Sequence, residues 1–278
     1  MTIDNSTIWN PNFHKSSKIF STIIPAFKEL NYTDNNWPTI QHYQNFISDL
    51  GYPIINKNGK NISFVTQNSS HDNMIINYES EIYLTGNVPT RLNSWHDFFQ
   101  VLVWRTFPKS KSTLNHLHYQ ASCNRSTSHN RNRSPIENHI TLFDECGAIL
   151  VSSNPSLLEL IKNFRWKTLF LENRPAFEKE ISAYVFGHAM LEKAINPYIG
   201  MTTNSILVEV ENDFFRLDYS AQLSTIDELI TEYFDSIKDN KPEKFHPIPI
   251  LGIPSWFDKN ENPEFYNNLT YFRPGRKK

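Results

Sequence analysis

The sequence predicts an α+β protein: a single large mixed domain in which helices pack on a small, largely antiparallel sheet. Helical and strand-like stretches alternate irregularly, without the strand–helix–strand rhythm of a parallel α/β fold. Apolar residues make up 39% of the 278 and aromatics 14%, enough for a sizeable core, whereas glycine is scarce at 8. The domain is expected to cover 17–278, behind a flexible stretch over 1–16. Its Pro- and aromatic-rich tail over 245–278 is expected to pack on the body without regular structure.

Ile19, Ile23, Ile24, Phe27 and Leu30 are spaced for a helix over 17–31, with Pro25 as an interruption. Pro38, Ile40, Tyr43, Phe46, Ile47 and Leu50 give a second helix that stops before Gly51. Residues 62–66 read as a strand, and 78–83 are ambiguous. Ser94 is a good N-cap with Asp97 three residues on, so a helix starts there and stops near Pro108. Another helix follows over 109–121, then a Ser/Asn/Arg-rich loop over 122–135. Residues 140–143 and 148–152 read as two strands joined by a hairpin turn at Asp144-Glu145-Cys146-Gly147. Asn154-Pro155 opens a helix over 155–163. A helix over 186–195, a strand over 205–211 and a helix from Ser224 to about Lys238 complete the order.

Acid–base residues are set among large apolar side chains in three short contexts around His96-Asp97, Asp144-Glu145 and His188 to Glu192. Burying such groups costs several kcal/mol unless they are paired, so each context is either a site or a satisfied core network. His188 and Glu192, four apart on a helix, share a face and suit a divalent metal such as Zn²⁺ or Fe²⁺; the same spacing serves a surface ion pair. His96 has the near-neutral pKa of an acid–base group or ligand, whereas Asp97 also fits the structural task of a cap. Asp144 and Glu145 end a strand in this reading, although turns favour Asp for backbone reasons alone. Of His116 and His118, two apart, one at most joins a site.

No acid stands between Asp97 and Glu137, while Arg105, Lys109, Lys111, Arg125, Arg131 and Arg133 do, with His116, His118 and His129. That segment is either a surface for phosphate or nucleic acid, with Tyr119 for stacking, or a solvated basic loop. Arg91, in a loop before the Ser94 helix, can clamp an anion or a carboxylate of the protein itself. The closing Arg273, Arg276, Lys277 and Lys278 cluster carries less information.

A net charge of −2 gives no global pull toward nucleic acid or acidic membranes. Cys123 and Cys146 form no disulfide framework, and no apolar run approaches a membrane span. Without a signal-like N-terminus, the chain is expected to be cytoplasmic and bacterial in style. No P-loop, GxGxxG, GxSxG, HExxH or CxxC motif occurs, which disfavours the enzyme classes those motifs mark.

Ordered motifs run along most of the chain. They are Gly86-x-Val88-Pro89-Thr90-Arg91, Ser94-Trp95-His96-Asp97-Phe98-Phe99, Phe107-Pro108-Lys109 and Leu114-Asn115, then Thr141-Leu142-Phe143-Asp144-Glu145-x-Gly147 and Phe186-Gly187-His188-Ala189. Leu251-Gly252-Ile253-Pro254 and Tyr271-Phe272-Arg273-Pro274 close the series. By these motifs the chain resembles the bacterial family named domain of unknown function 3025. The resemblance implies one domain-length unit and supplies no reaction, cofactor or catalytic residue. The chain departs from it in a lengthened Ser/Asn-rich stretch around 122–132.

The residues themselves lead to a metal-assisted hydrolase of a phosphorylated or nucleotide-like substrate. His96, His188 and Asp144 or Glu145 are its expected acid–base groups, and His188 and Glu192 hold a divalent metal. Arg91 and Lys109 hold an anionic small molecule. The alternatives are a non-catalytic nucleic-acid-binding protein using the 98–136 segment and a structural or interaction protein.

Overall fold

Two small sheets lie among helices in an α+β arrangement, and the buried apolar side chains from Trp9 to Phe272 form one continuous cluster. The computed structural model describes residues 8–48, 51, 53–67, 77–128, 133–237 and 241–275, the side chains of 125–128 excepted. Arg131, His129, Arg276, Lys277, Lys278 and the side chain of Arg125 therefore lie outside the described residues.

Trp9 and Phe13, in the stretch expected to be loose, are buried against Trp95 and Phe99. A 3-10 helix at Lys18–Ile23 runs into α1 (Ile24–Leu30), with Pro25 in the first turn of α1. Proline is tolerated there because its missing N–H would have no partner in any case. Next come α2 (Ile40–Ser48), β1 (Ser63–Thr66), α3 (Tyr78–Thr85) and β2 (Asn87–Thr90). β1 and β2 pair in parallel. Then follow α4 (Trp95–Thr106), α5 (Pro108–Ser128), α6 (Pro135–Cys146), β3 (Gly147–Ser152), α7 (Pro155–Lys162), α8 (Arg174–Glu180) and β4 (Ile181–Val185). The last elements are α9 (His188–Lys193), β5 (Thr202–Glu209), α10 (Tyr219–Asp235) and β6 (His246–Pro249).

The larger sheet has the order β4-β3-β5-β6, antiparallel at both outer pairs and parallel between β3 and β5. Every residue of β3 is buried, as the central position requires. No helix among the described residues is long and apolar enough to cross a membrane.

The sharpest correction concerns 140–143. They are not a strand, and Asp144-Glu145 is not a hairpin turn; both belong to α6. Ser134 and Glu137 exchange the two hydrogen bonds of a capping box, with Pro135 at the start of the helix. Ile136, Ile140 and Phe143 then fall on one buried face at helical spacing. α5 likewise runs past 121 to Ser128, into the expected loop. α10 starts at the Asp218 cap, earlier than Ser224. Asp227 of α10 caps α5: its carboxylate accepts from the N–H groups of Lys109 and Ser110. The tail contains β6 and short 3-10 turns, where no regular structure was expected.

Candidate metal centre

α4 presents two faces. Trp95, Phe98 and Phe99 enter the aromatic core, where rings of this size contribute about 1.5–3 kcal/mol each. His96, Asp97 and Gln100 line a cavity of about 430 Å³. Helices α4 and α6 both pack against α9, which brings the end of α6 and the first residue of α9 to that cavity. Phe186 anchors the entry to α9 by packing on Phe107 and Phe143.

His96 Nε2 and His188 Nε2 face each other at 2.9 Å. Glu145 Oε1 lies 3.9 Å from His188 Nε2, and one ligand atom from each of the three residues falls within 4.8 Å of the other two. Behind each ring stands a second carboxylate. Glu192 Oε2 is 3.0 Å from His96 Nδ1, and Asp144 Oδ2 is 3.9 Å from His188 Nδ1. His188 Nδ1 is buried and has no hydrogen-bond partner among the described residues.

These contacts constrain the protons. An ionised carboxylate only accepts, so Glu192 assigns a hydrogen to His96 Nδ1, and the neutral ring keeps its lone pair on Nε2. If His188 carries its hydrogen on Nε2, it donates to His96 but turns a bare Nδ1 toward the Asp144 carboxylate. If it carries the hydrogen on Nδ1, two lone pairs face each other at 2.9 Å. The second arrangement, with both Nδ1–H groups turned to carboxylates, calls for a cation between the rings: a proton shared through an imidazolium, or a metal ion.

The electrostatics follow the same division. The hydrogen bond to Glu192 outweighs burial and raises the pKa of His96. Burial holds His188 neutral, with a pKa lowered to about 3. Burial also raises the Glu145 carboxyl. Burial pushes Asp144 up as well, but Lys111 and His188 outweigh it and leave it below the usual carboxylate range. Lys111 Nζ meets Asp144 Oδ1 at 2.6 Å in a pair that is almost wholly buried.

The structure thus brings together His96, Asp144, Glu145, His188 and Glu192. The helical spacing of His188 and Glu192 sets them on two sides of His96, with Glu192 engaging its outer nitrogen. Arg91 lines the cavity but is committed to Asp97, through Nη2 at 2.8 Å and Nε at 3.1 Å. Lys109 is elsewhere. Its backbone N–H is held by Asp227 and its ammonium by Glu228, because it sits in the first turn of α5 against α10. His118 reaches the cavity, whereas His116 packs on Tyr83. Lys111, Tyr78, Gln100 and Arg133 also line or support the cavity. Gln100 was findable, since it lies one helical turn beyond His96. Tyr78 arrives from a distant helix and carries no local signal, and Lys111, which the sequence marks only as one of the cations of the 98–136 segment, is instead paired with Asp144.

A family model described as "Protein of unknown function (DUF3025)" matches residues 62–276. No curated protein and no solved structure matches the chain.

Proposed function

We propose that this chain, which belongs to the DUF3025 family of proteins of unknown function, is a metal-dependent hydrolase of a small phosphorylated or nucleotide-like substrate. One divalent ion is held by His96, His188 and Glu145. The observation that carries this reading is the meeting of two imidazole Nε2 atoms at 2.9 Å, each ring with a carboxylate behind its Nδ1. Imidazoles backed by outer carboxylates are a recurring feature of metal–histidine sites. His96, His188 and Glu145 would supply three protein ligands, the number a catalytic site combines with water or substrate.

Bound there, a divalent ion supplies Lewis acidity and a water that ionises near neutral pH. The chain's own groups orient and neutralise. Glu192 fixes the His96 imidazole by a hydrogen bond, Asp144 stands 3.9 Å behind His188 Nδ1, and Lys111 keeps Asp144 ionised. In the cavity wall, Asp97 is paired with Arg91 and Asp144 with Lys111, while Arg133 has no acidic partner among the described residues. That leaves Arg133 available for an anionic group. Hydrolysis then joins a water oxygen to phosphorus and breaks the bond to the leaving oxygen, which departs with a proton.

The nucleic-acid reading draws less support. Arg105, Lys109 and Lys111 are each engaged by an acid of the fold: Glu29, Glu228 and Asp144.

Elemental analysis of the purified protein tests the proposal, together with His96→Ala and His188→Ala. About one zinc or similar divalent ion per chain, lost in both variants, is the expected result. Iron in its place would redirect the search toward oxidation. A wild-type protein that takes up no divalent ion even after loading would remove the mechanism.

A further inference from the structure

Tyr78 opens α3 and turns its ring into the same cavity as the three candidate ligands. Gln100 lies on α4 four residues beyond His96, so both share the face that lines the cavity. Gln100 Nε2 is 2.7 Å from Tyr78 Oη. The amide donates in this bond, because a primary amide nitrogen has hydrogens and no lone pair to offer. The phenol oxygen therefore accepts, and its own hydrogen has no acceptor among the described residues. Burial, followed by the charges of Glu79, Asp144 and Asp97, holds the phenol protonated well above its ordinary range. The result is a phenol O–H beside the cavity with no acceptor among the described residues.

We propose that Tyr78 is a further catalytic residue: its hydroxyl donates a hydrogen bond to a non-bridging oxygen of the substrate's phosphoryl group in the transition state, and Gln100 is its positioning residue. The inference rests on the hydrolase reading above and specifies the reaction class. A neutral donor in the same cavity helps where negative charge spreads over equatorial oxygens, as in phosphoryl transfer. No proton changes hands in this contact; Tyr78 keeps its hydrogen before and after P–O cleavage.

The test compares wild type, Tyr78→Phe and Gln100→Leu, each loaded with its divalent ion. Turnover of p-nitrophenyl phosphate and binding of orthovanadate are both measured. Tyr78→Phe is expected to retain full metal content and KM while kcat falls roughly 100-fold, the scale of one lost oxyanion donor. Vanadate binding should weaken by at least about tenfold. Gln100→Leu should lower kcat with KM unchanged, and the double variant should fall no further than Tyr78→Phe alone, because both act through one hydroxyl. If Tyr78→Phe fails to fold, Gln100→Leu carries the test by the same two readouts. Metal bound in all variants, with vanadate held equally by wild type and Tyr78→Phe or by neither, would overturn the Tyr78 assignment alone. A wild type without metal would bring down the hydrolase reading itself.

Discussion

At the scale of single residues, the site depends on what stands behind each imidazole. Glu192 is half-exposed and touches His96 on the side away from His188, so it contributes little to the fold and much to the ring's orientation. Removing it frees His96 to rotate and to move its hydrogen to Nε2, where a metal would bind. Glu192→Ala should leave thermal stability unchanged and weaken metal affinity roughly 10–100-fold, with Glu192→Gln recovering part of the loss. Competition with a chromophoric chelator measures this; equal affinity in wild type and Glu192→Ala would show that the carboxylate is a surface partner only. Asp144 is the poorer probe, because its removal strands Lys111 as a buried, unpaired cation. Helix spacing in the sequence pairs His188 with Glu192, while His96 and Asp144-Glu145 stand out there only as acid–base groups set among large apolar side chains. It could not reveal that Glu192 serves His96, 96 positions away, because that pairing exists only after α9 packs on α4.

Elements position these residues through one close approach. Gly147 O accepts from the N–H groups of both Phe186 and Gly187, which ties the end of β4 to the end of α6. A Cβ on Gly187 would lie 2.5 Å from the Glu145 carbonyl oxygen and 2.6 Å from Cys146 Cα, so backbone would have to move. Gly187→Ala should therefore push α9 off α6, at about 1–3 kcal/mol of stability, and separate His188 from Glu145. Chemical denaturation and metal titration read the two effects; a variant with wild-type stability and affinity would mean that the contact relaxes without consequence. The misreading of α6 has its origin here. Thr141 and Ile140 favour strands, and Gly147 looked like a turn glycine, yet it begins β3 with an ordinary φ of −75°. The helix signal was upstream, in Ser134, Pro135 and Glu137, at the end of a stretch whose composition resembled a loop. α9 and β5 were legible because their flanking Pro and Gly residues punctuate the chain, whereas the parallel β3–β5 pairing is a product of topology that no local pattern encodes.

For the whole molecule, the same burial that keeps His188 neutral links stability to pH, and His139 isolates the effect away from the candidate ligands. It sits on the buried face of α6, its ring stacked on Phe245 at 3.8 Å and its Nε2 3.0 Å from the Tyr233 hydroxyl. It thereby joins α6, α10 and the segment leading into β6. Burial lowers its pKa from 6.5 to about 4. The folded chain thus binds this proton less readily than the unfolded chain, so the contribution is fully present above about pH 6.5 and is lost as pH falls toward 4. Between about pH 7 and pH 5 the loss amounts to at most about 2 kcal/mol. His139→Gln retains a polar partner for Tyr233 but does not titrate. Urea unfolding at both pH values should give the variant a smaller drop in stability than wild type, with every other titrating group common to the two proteins. An equal drop would mean that the ring is solvated enough to protonate in place, and that the packing of Phe245 over α6 opens below neutral pH without unfolding the rest.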